Sequence, residues 1–224
     1  MSQELWTAVD QYINQMLVPS DPMLEAALRA SAEAGLPAIQ VSPPQGKLLH
    51  LLVSAIGARN ILEIGTLGGY SAIWMARALP PGGRLLTLEA DAKHAEVARA
   101  NFARAGLTAS IEQSVGSALQ TLPQIAAERR GPFDLIFIDA NKSTMAEYFD
   151  WSLKLARKGT LIIVDNVIRH GSVIESNSTD QDVQGVRRFN ERISNDSRVS
   201  ATEIQTVGSK GYDGFALLLV LTPS

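Results

Sequence analysis

From Asn60 onward, short apolar runs take turns with amphipathic stretches, and that alternation constrains the fold more tightly than any other feature of the chain. "NILEI", "RLLTL", "ASIEQ", "FDLIFI" and "TLIIV" read as strands. Helical periodicity fills 70–79, 91–105, 117–127 and 144–156 between them, and a further helix is expected over 183–194. Strand, helix, strand in repetition requires parallel pairing, with helices covering both faces. The tail breaks the pattern: "VSATEIQTV", the turn "GSKGYDG" and "FALLLVL" are two strands with no helix between them, hence an antiparallel hairpin. A seven-stranded, mostly parallel α/β sheet ending in that hairpin is the expectation.

Helical patterns over 4–17 and 22–34 precede the alternation, the second with Asp21 as N-cap, Pro22 at its start and Gly35 as its stop. At 224 residues the chain suits one large domain, 1–224, with 1–58 lying ahead of the sheet. Net charge is −3 with 19% charged residues, so no basic field of the kind that follows a phosphate backbone shows in the totals. Cysteine is absent, which removes disulfides, thiolate-bound zinc and cysteine nucleophiles and leaves oxygen and nitrogen chemistry. The longest apolar run, "FALLLVL", is far shorter than the ~20 residues of a membrane span, and a cytoplasmic protein with no membrane partner is expected. The polar stretch 168–181 follows a sheet strand and reads as a lid over a site.

Ligands of open α/β sheets collect beyond the C-terminal strand ends. After the first strand comes "EIGTLGGYS", with Glu63 near the strand end and Gly65, Gly68 and Gly69 ahead of a helix. Glycines there let backbone approach a ligand, although a tight strand-to-helix turn uses them too. The start lacks Gly-x-Gly, which argues against a nicotinamide cofactor. Glu63 disfavours a diphosphate and suits a cationic nucleoside. Glu89 follows the second strand, placed to accept bonds from ribose hydroxyls, and Gly116 and Ser117 open a helix beside the same crevice.

Asp139 follows the fourth strand, and Asp165 and Asn166 follow the fifth. Adjacent strands lie about 4.8 Å apart, so the three groups can converge. Each alone is read most simply as a turn or capping residue. Together, two carboxylates and an amide form a hard oxygen set suited to Mg²⁺ first, with Mn²⁺ or Ca²⁺ as alternatives. Lys142, three residues beyond Asp139, is the candidate base, because a nearby cation and desolvation favour a neutral amine.

"LEIGTLGGYSAIWMARALPPGGRLLTLEAD", with "VSPPQGKLLHLL", "VDNVIRHGSV" and "GYDGFALLLV", resembles the cation-dependent S-adenosylmethionine O-methyltransferases, the branch that includes catechol and caffeoyl-coenzyme A methyltransferases. The resemblance implies a Rossmann-like class I methyltransferase fold and a cationic sulfonium cofactor. It puts Glu63 and Gly65 near the methionine moiety, Ser71 on its carboxylate or amino group, Glu89 on the ribose, and Ser117 and Ala118 at the adenine. Val41 and Ser42 would close over the cofactor, with Gly116 and Asp139 beside it. The metal falls on Asp139, Asp165 and Asn166, and Lys142 becomes the catalytic lysine. A small phenolic acceptor with vicinal hydroxyls is implied, and a homodimer built on the first helices. The alternative acceptor is a hydroxylated wobble uridine in tRNA.

Asn141 stands where many relatives carry Asp, which removes a negative charge near the metal and the cofactor amino group. His50 and His94 read as packing or surface residues, and Trp6, Trp74 and Trp151 as packing aromatics. His170, following the metal pair, reads either as lining the substrate mouth together with Arg169 or as a plain loop residue.

Overall fold

The computed structural model describes residues 2–223; positions 1 and 224, the ends of the expected domain, lie outside them. Its seven strands are β1 (Asn60–Ile64), β2 (Arg84–Glu89), β3 (Ile111–Val115), β4 (Phe133–Ile138), β5 (Ala156–Asp165), β6 (Val199–Gly208) and β7 (Gly211–Val220). They form one sheet in the order β3-β2-β1-β4-β5-β7-β6, with the first five parallel and β7 antiparallel to both its neighbours. The expected sheet and hairpin are both present. Order reverses between β1 and β4, which opens a crevice beyond their carboxyl ends.

Alternation along β4 divides the core. Ile136 and Ile138 face the layer that holds Phe149 and Phe189, while Leu135 and Phe137 face the layer that holds Val53 and Ile73. Each such fully buried side chain contributes roughly 1.5–3 kcal/mol.

The helices that position the site are α1 (Gln3–Leu17), α2 (Pro22–Glu33), α3 (Pro43–Ala55) and α4 (Tyr70–Ala76). The others are α5 (Ala92–Arg104), α6 (Ala118–Ala127), α7 (Met145–Leu155) and α8 (Gln181–Ser194). Asp21 caps α2 through the N–H groups of Met23 and Leu24, as expected, and also pairs with Arg77 at the end of α4. Helix α1 reaches the far end of the chain, where Asp10 Oδ2 accepts from Ser209 N at 2.7 Å and Ser209 Oγ at 2.8 Å.

Some boundaries move. β3 starts at Ile111 rather than Ala109, because Ser110 N closes a turn onto Leu107 O at 3.0 Å and Ile111 is the residue that registers with Leu85. β7 begins at Gly211, since the hairpin pairs all the way to Gly208. The stretch read as a lid is tied down in its first half. Residues Arg169–Ile174 form a broken 3-10 segment with His170 and Gly171 left-handed, and Arg187 Nη1 donates to Val173 O at 2.6 Å.

Candidate active site

Register alone brings the strand ends together. Ile138 pairs with both Ile64 and Val164, so Gly65, Asp139 and Asp165 follow at the same level on three adjacent strands. Gly65 takes φ +101°, and a Cβ there would lie 2.0 Å from the Asp139 carbonyl oxygen. Glycine is therefore a requirement for Asp139 to sit against the β1 turn. Asn166 adopts φ +58°, a left-handed conformation that Asn tolerates, and its N–H donates to Asp165 Oδ1 at 2.9 Å.

A cavity of about 690 Å³ opens over these ends. Val41, Gly65, Ser71, Glu89, Gly116, Ser117, Ala118, Asp139, Lys142 and Asn166 all line it. Glu89 accepts from Thr66 N at 3.1 Å, Leu67 N at 2.7 Å and Asp91 N at 3.0 Å. The amides that a phosphate would need are thus already taken by a carboxylate of the chain itself, which supports the reading against a diphosphate.

Glu63 does not line the cavity and sits behind its wall, fully buried. Ser71 Oγ and Thr87 Oγ1 each donate to it at 2.6 Å, and burial pushes its carboxyl up to about 8 against those two bonds. Its reach to a ligand passes through Ser71. Ser42 also departs from expectation: it caps α3 through Gln45 N and faces a second cavity. His94, read as packing or surface, lines the main cavity with Nδ1 3.6 Å from Glu89 Oε1. His50 is a packing residue, its ring edge-on to Trp74.

Lys142 is 6% exposed, and its Nζ donates to Asp139 Oδ1 at 2.9 Å. Asn141 Oδ1 accepts from Ser143 N at 3.0 Å and Ser143 Oγ at 2.9 Å, so the amide caps the turn that carries the lysine. Asp165 is held above the ordinary carboxylate range by burial and then by the Asp139 charge, while Lys142, the Gln45 side chain and the Asn166 N–H act against that rise. Among the described residues no three His, Cys, Asp or Glu side chains are grouped to hold a metal; the set is two acids and an amide. A buried carboxylate, Asp165, and a part-buried one, Asp139, repelling each other beside an amide oxygen, fit a divalent, oxygen-preferring cation, which would relieve that repulsion.

The second cavity, about 510 Å³, shares Val41, Asn166 and Arg169 with the first and takes in Asp165, Gln45 and His170. The two spaces meet at the proposed metal set. Arg169 and His170 thus line the second cavity, and Arg169 the first as well.

Two contributors carry no local signal in the sequence. Asp213 Oδ1 accepts from Ile168 N and Arg169 N at 3.0 Å and from Gly214 N at 2.9 Å, which shapes the turn after Asn166. Gln45, from a helix about 120 residues earlier in the chain, lines the second cavity with Asp165 and acts against the rise of its carboxyl.

The geometry has counterparts. Residues 15–219 match the model of the O-methyltransferase family, and the chain belongs to that family. It is 54% identical over 220 residues to a catechol O-methyltransferase of Niastella koreensis, covering 98% of this chain and 100% of the relative. A catechol O-methyltransferase of Mycobacterium tuberculosis is 53% identical over 212 residues, 95% of this chain and 94% of the relative. The O-methyltransferase of Bacillus cereus, solved in complex with S-adenosylhomocysteine (SAH), superposes with a TM-score of 0.97 at 58% identity, covering 98% of this chain and all of that one. The fold is that of class I methyltransferases.

Proposed function

We propose that this protein transfers the methyl of S-adenosylmethionine to one of two vicinal hydroxyls on a small catechol-like phenol, with a divalent cation. The observation that carries the proposal is the buried Lys142 beside Asp139, Asp165 and Asn166 at the junction of two cavities. The names of the two catechol O-methyltransferase relatives and the SAH complex of the Bacillus cereus structure support it.

When bound, the cofactor would supply an electrophilic methyl and the cation, Mg²⁺ or alternatively Mn²⁺ or Ca²⁺, a Lewis-acid charge that eases deprotonation of the acceptor. Asp139, Asp165 and Asn166 would hold that cation. Lys142 takes the hydroxyl proton at Nζ. Glu89, fixed on the loop amides, would orient the ribose, and Ser117 and Ala118 would border the adenine. Ser71 passes the influence of Glu63 to the methionine end.

A homodimer belongs to the same proposal, supported by Leu5, Val9, Tyr12 and Met16, each about half exposed or more along α1. No helix among the described residues is long and apolar enough to cross a membrane. Cytoplasmic residence is proposed with the activity, and fractionation of expressing cells checks it. Transfer of labelled methyl to catechol, phenol and bulk tRNA tests the acceptor. Catechol is expected to be labelled and phenol not; label in tRNA alone would favour the wobble-uridine reading instead.

A further inference from the structure

The second cavity carries unbalanced hydrogen-bonding capacity. Three of its acids are engaged. Asp10 is fixed on Ser209, Asp213 Oδ1 accepts three backbone N–H groups, and Asp165 belongs to the proposed metal set. Its cations are not engaged to the same degree. Arg169 has a single side-chain partner, Asp182 Oδ2 at 3.2 Å from Nη2, although a guanidinium offers five N–H donors. Its Nε is buried with no hydrogen-bond partner at all. Lys210 donates only to the Ala38 carbonyl, at 2.8 Å, and no carboxylate among the described residues lies within ion-pair distance of it. His170 lines the same cavity, its Cε1 3.6 Å from where a Cβ on Gly211 would lie.

Backbone holds the arginine in this place. Arg169 and His170 both take left-handed φ, 53° and 56°, a conformation that costs a non-glycine residue free energy and persists only where neighbours impose it. Asp213 imposes it by binding the Ile168 and Arg169 N–H groups. The hairpin turn that carries Lys210 is anchored separately on α1 through Asp10.

We infer that the acceptor carries an anionic substituent, a carboxylate on its ring or on a short side chain, and that Arg169 and Lys210 select it. This rests on the methyl-transfer reading and names the substrate class within it. The vicinal hydroxyls would lie at Asp165 and Asn166, and the carboxylate would extend along the second cavity toward the two cations. Both cations then gain the charge-assisted bonds that the fold leaves them without.

The test compares kcat/KM for 3,4-dihydroxybenzoate, its neutral amide and dopamine, in the full-length protein and in Arg169→Gln and Lys210→Gln. The parent is expected to prefer the benzoate over the amide by roughly tenfold or more, with dopamine poorest. Each variant should lower the benzoate-to-amide ratio by roughly tenfold, mainly through KM. SAH binding by calorimetry verifies that each variant is folded, and Lys210, at the surface, supplies a readout if Arg169→Gln fails to fold. Equal use of benzoate and amide by the parent, or a ratio unchanged in Lys210→Gln, overturns the inference while leaving methyl transfer standing. Turnover of none of the three would overturn the methyl-transfer reading, and this inference with it.

Discussion

Lys142 Nζ and Asp139 Oδ1 lie 2.9 Å apart in a site where the lysine is almost wholly buried, on a turn capped by Asn141. The same side chain offsets the charge of the Asp139 and Asp165 carboxylates and, in the proposed reaction, supplies the base. Replacing Lys142 by Met keeps its apolar stem and deletes both roles. kcat is expected to fall by roughly 10²–10⁴-fold, the range for loss of a positioned base, while SAH affinity changes little. Single-turnover rates and calorimetry on one preparation check this; a kcat within a few-fold of the parent would refute the assignment.

The Lys142 turn is also held from behind. A Cβ on Gly185 of α8 would lie 2.1 Å from the Lys142 carbonyl oxygen and 2.6 Å from Ser143 Cα, so Gly185→Ala must push the turn or the helix away. Overpacking of this kind costs about 1–3 kcal/mol. The variant should melt several degrees lower and lose kcat beyond what its folded fraction explains. An unchanged melting temperature would show that the contact yields freely.

Much of this site was legible in the sequence because parallel strands report their ligands at their carboxyl ends. Glu89 and Asp165 are the last residues of their strands and Asp139 and Asn166 the first beyond theirs, where that rule puts them. Glu63 was read as facing the ligand because the rule gives position along a strand and not which face the side chain takes; it points inward to Ser71 and Thr87. Gln45 and Asp213 were missed for another reason. Their partners lie on distant elements, and nothing in "PPQGK" or "GYDGF" distinguishes a part-buried amide near the site or a loop anchor from ordinary cap and turn chemistry. Ser42 shows the reverse, a residue whose local capping role is what the structure retains.

Gln45 acts on Asp165 from outside the proposed ligand set. Losing such an outer partner typically weakens a metal by 10- to 100-fold, so Gln45→Leu should weaken Mn²⁺ binding by roughly that factor. Asp165→Asn should weaken it further. Calorimetric titration of the chelator-stripped protein with Mn²⁺ measures both, independently of turnover. Parent-like binding in both variants would place the cation elsewhere.

Glu63 makes the cofactor-free protein pH-sensitive. Its carboxyl, ordinarily near 4.5, is raised to about 8 by burial. Below about pH 4.5 it is protonated folded or unfolded. Between there and about 8 only the unfolded chain ionises, so stability falls as pH rises and levels off above, by an amount on the order of a few kcal/mol. Glu63→Gln, which mimics the neutral acid, should flatten that decline in urea melts between pH 5 and 8. An identical slope in parent and variant would contradict the raised value.

The proposed dimer rests on the α1 stripe. Tyr12→Glu, at a position 64% exposed, should shift the protein toward monomer in sedimentation velocity without altering its fold. A parent that sediments as a monomer at all concentrations would remove that part of the proposal.

The central claim is that the strand-end oxygens and Lys142 together run a cation-dependent O-methyl transfer. Its most direct test is methyl transfer from S-adenosylmethionine to catechol by chelator-stripped protein, before and after Mg²⁺ is restored, in the parent and in Asp165→Asn. The account predicts negligible transfer without the cation, full recovery in the parent and little in the variant. Undiminished transfer in excess chelator, or parent-like recovery in Asp165→Asn, would contradict it.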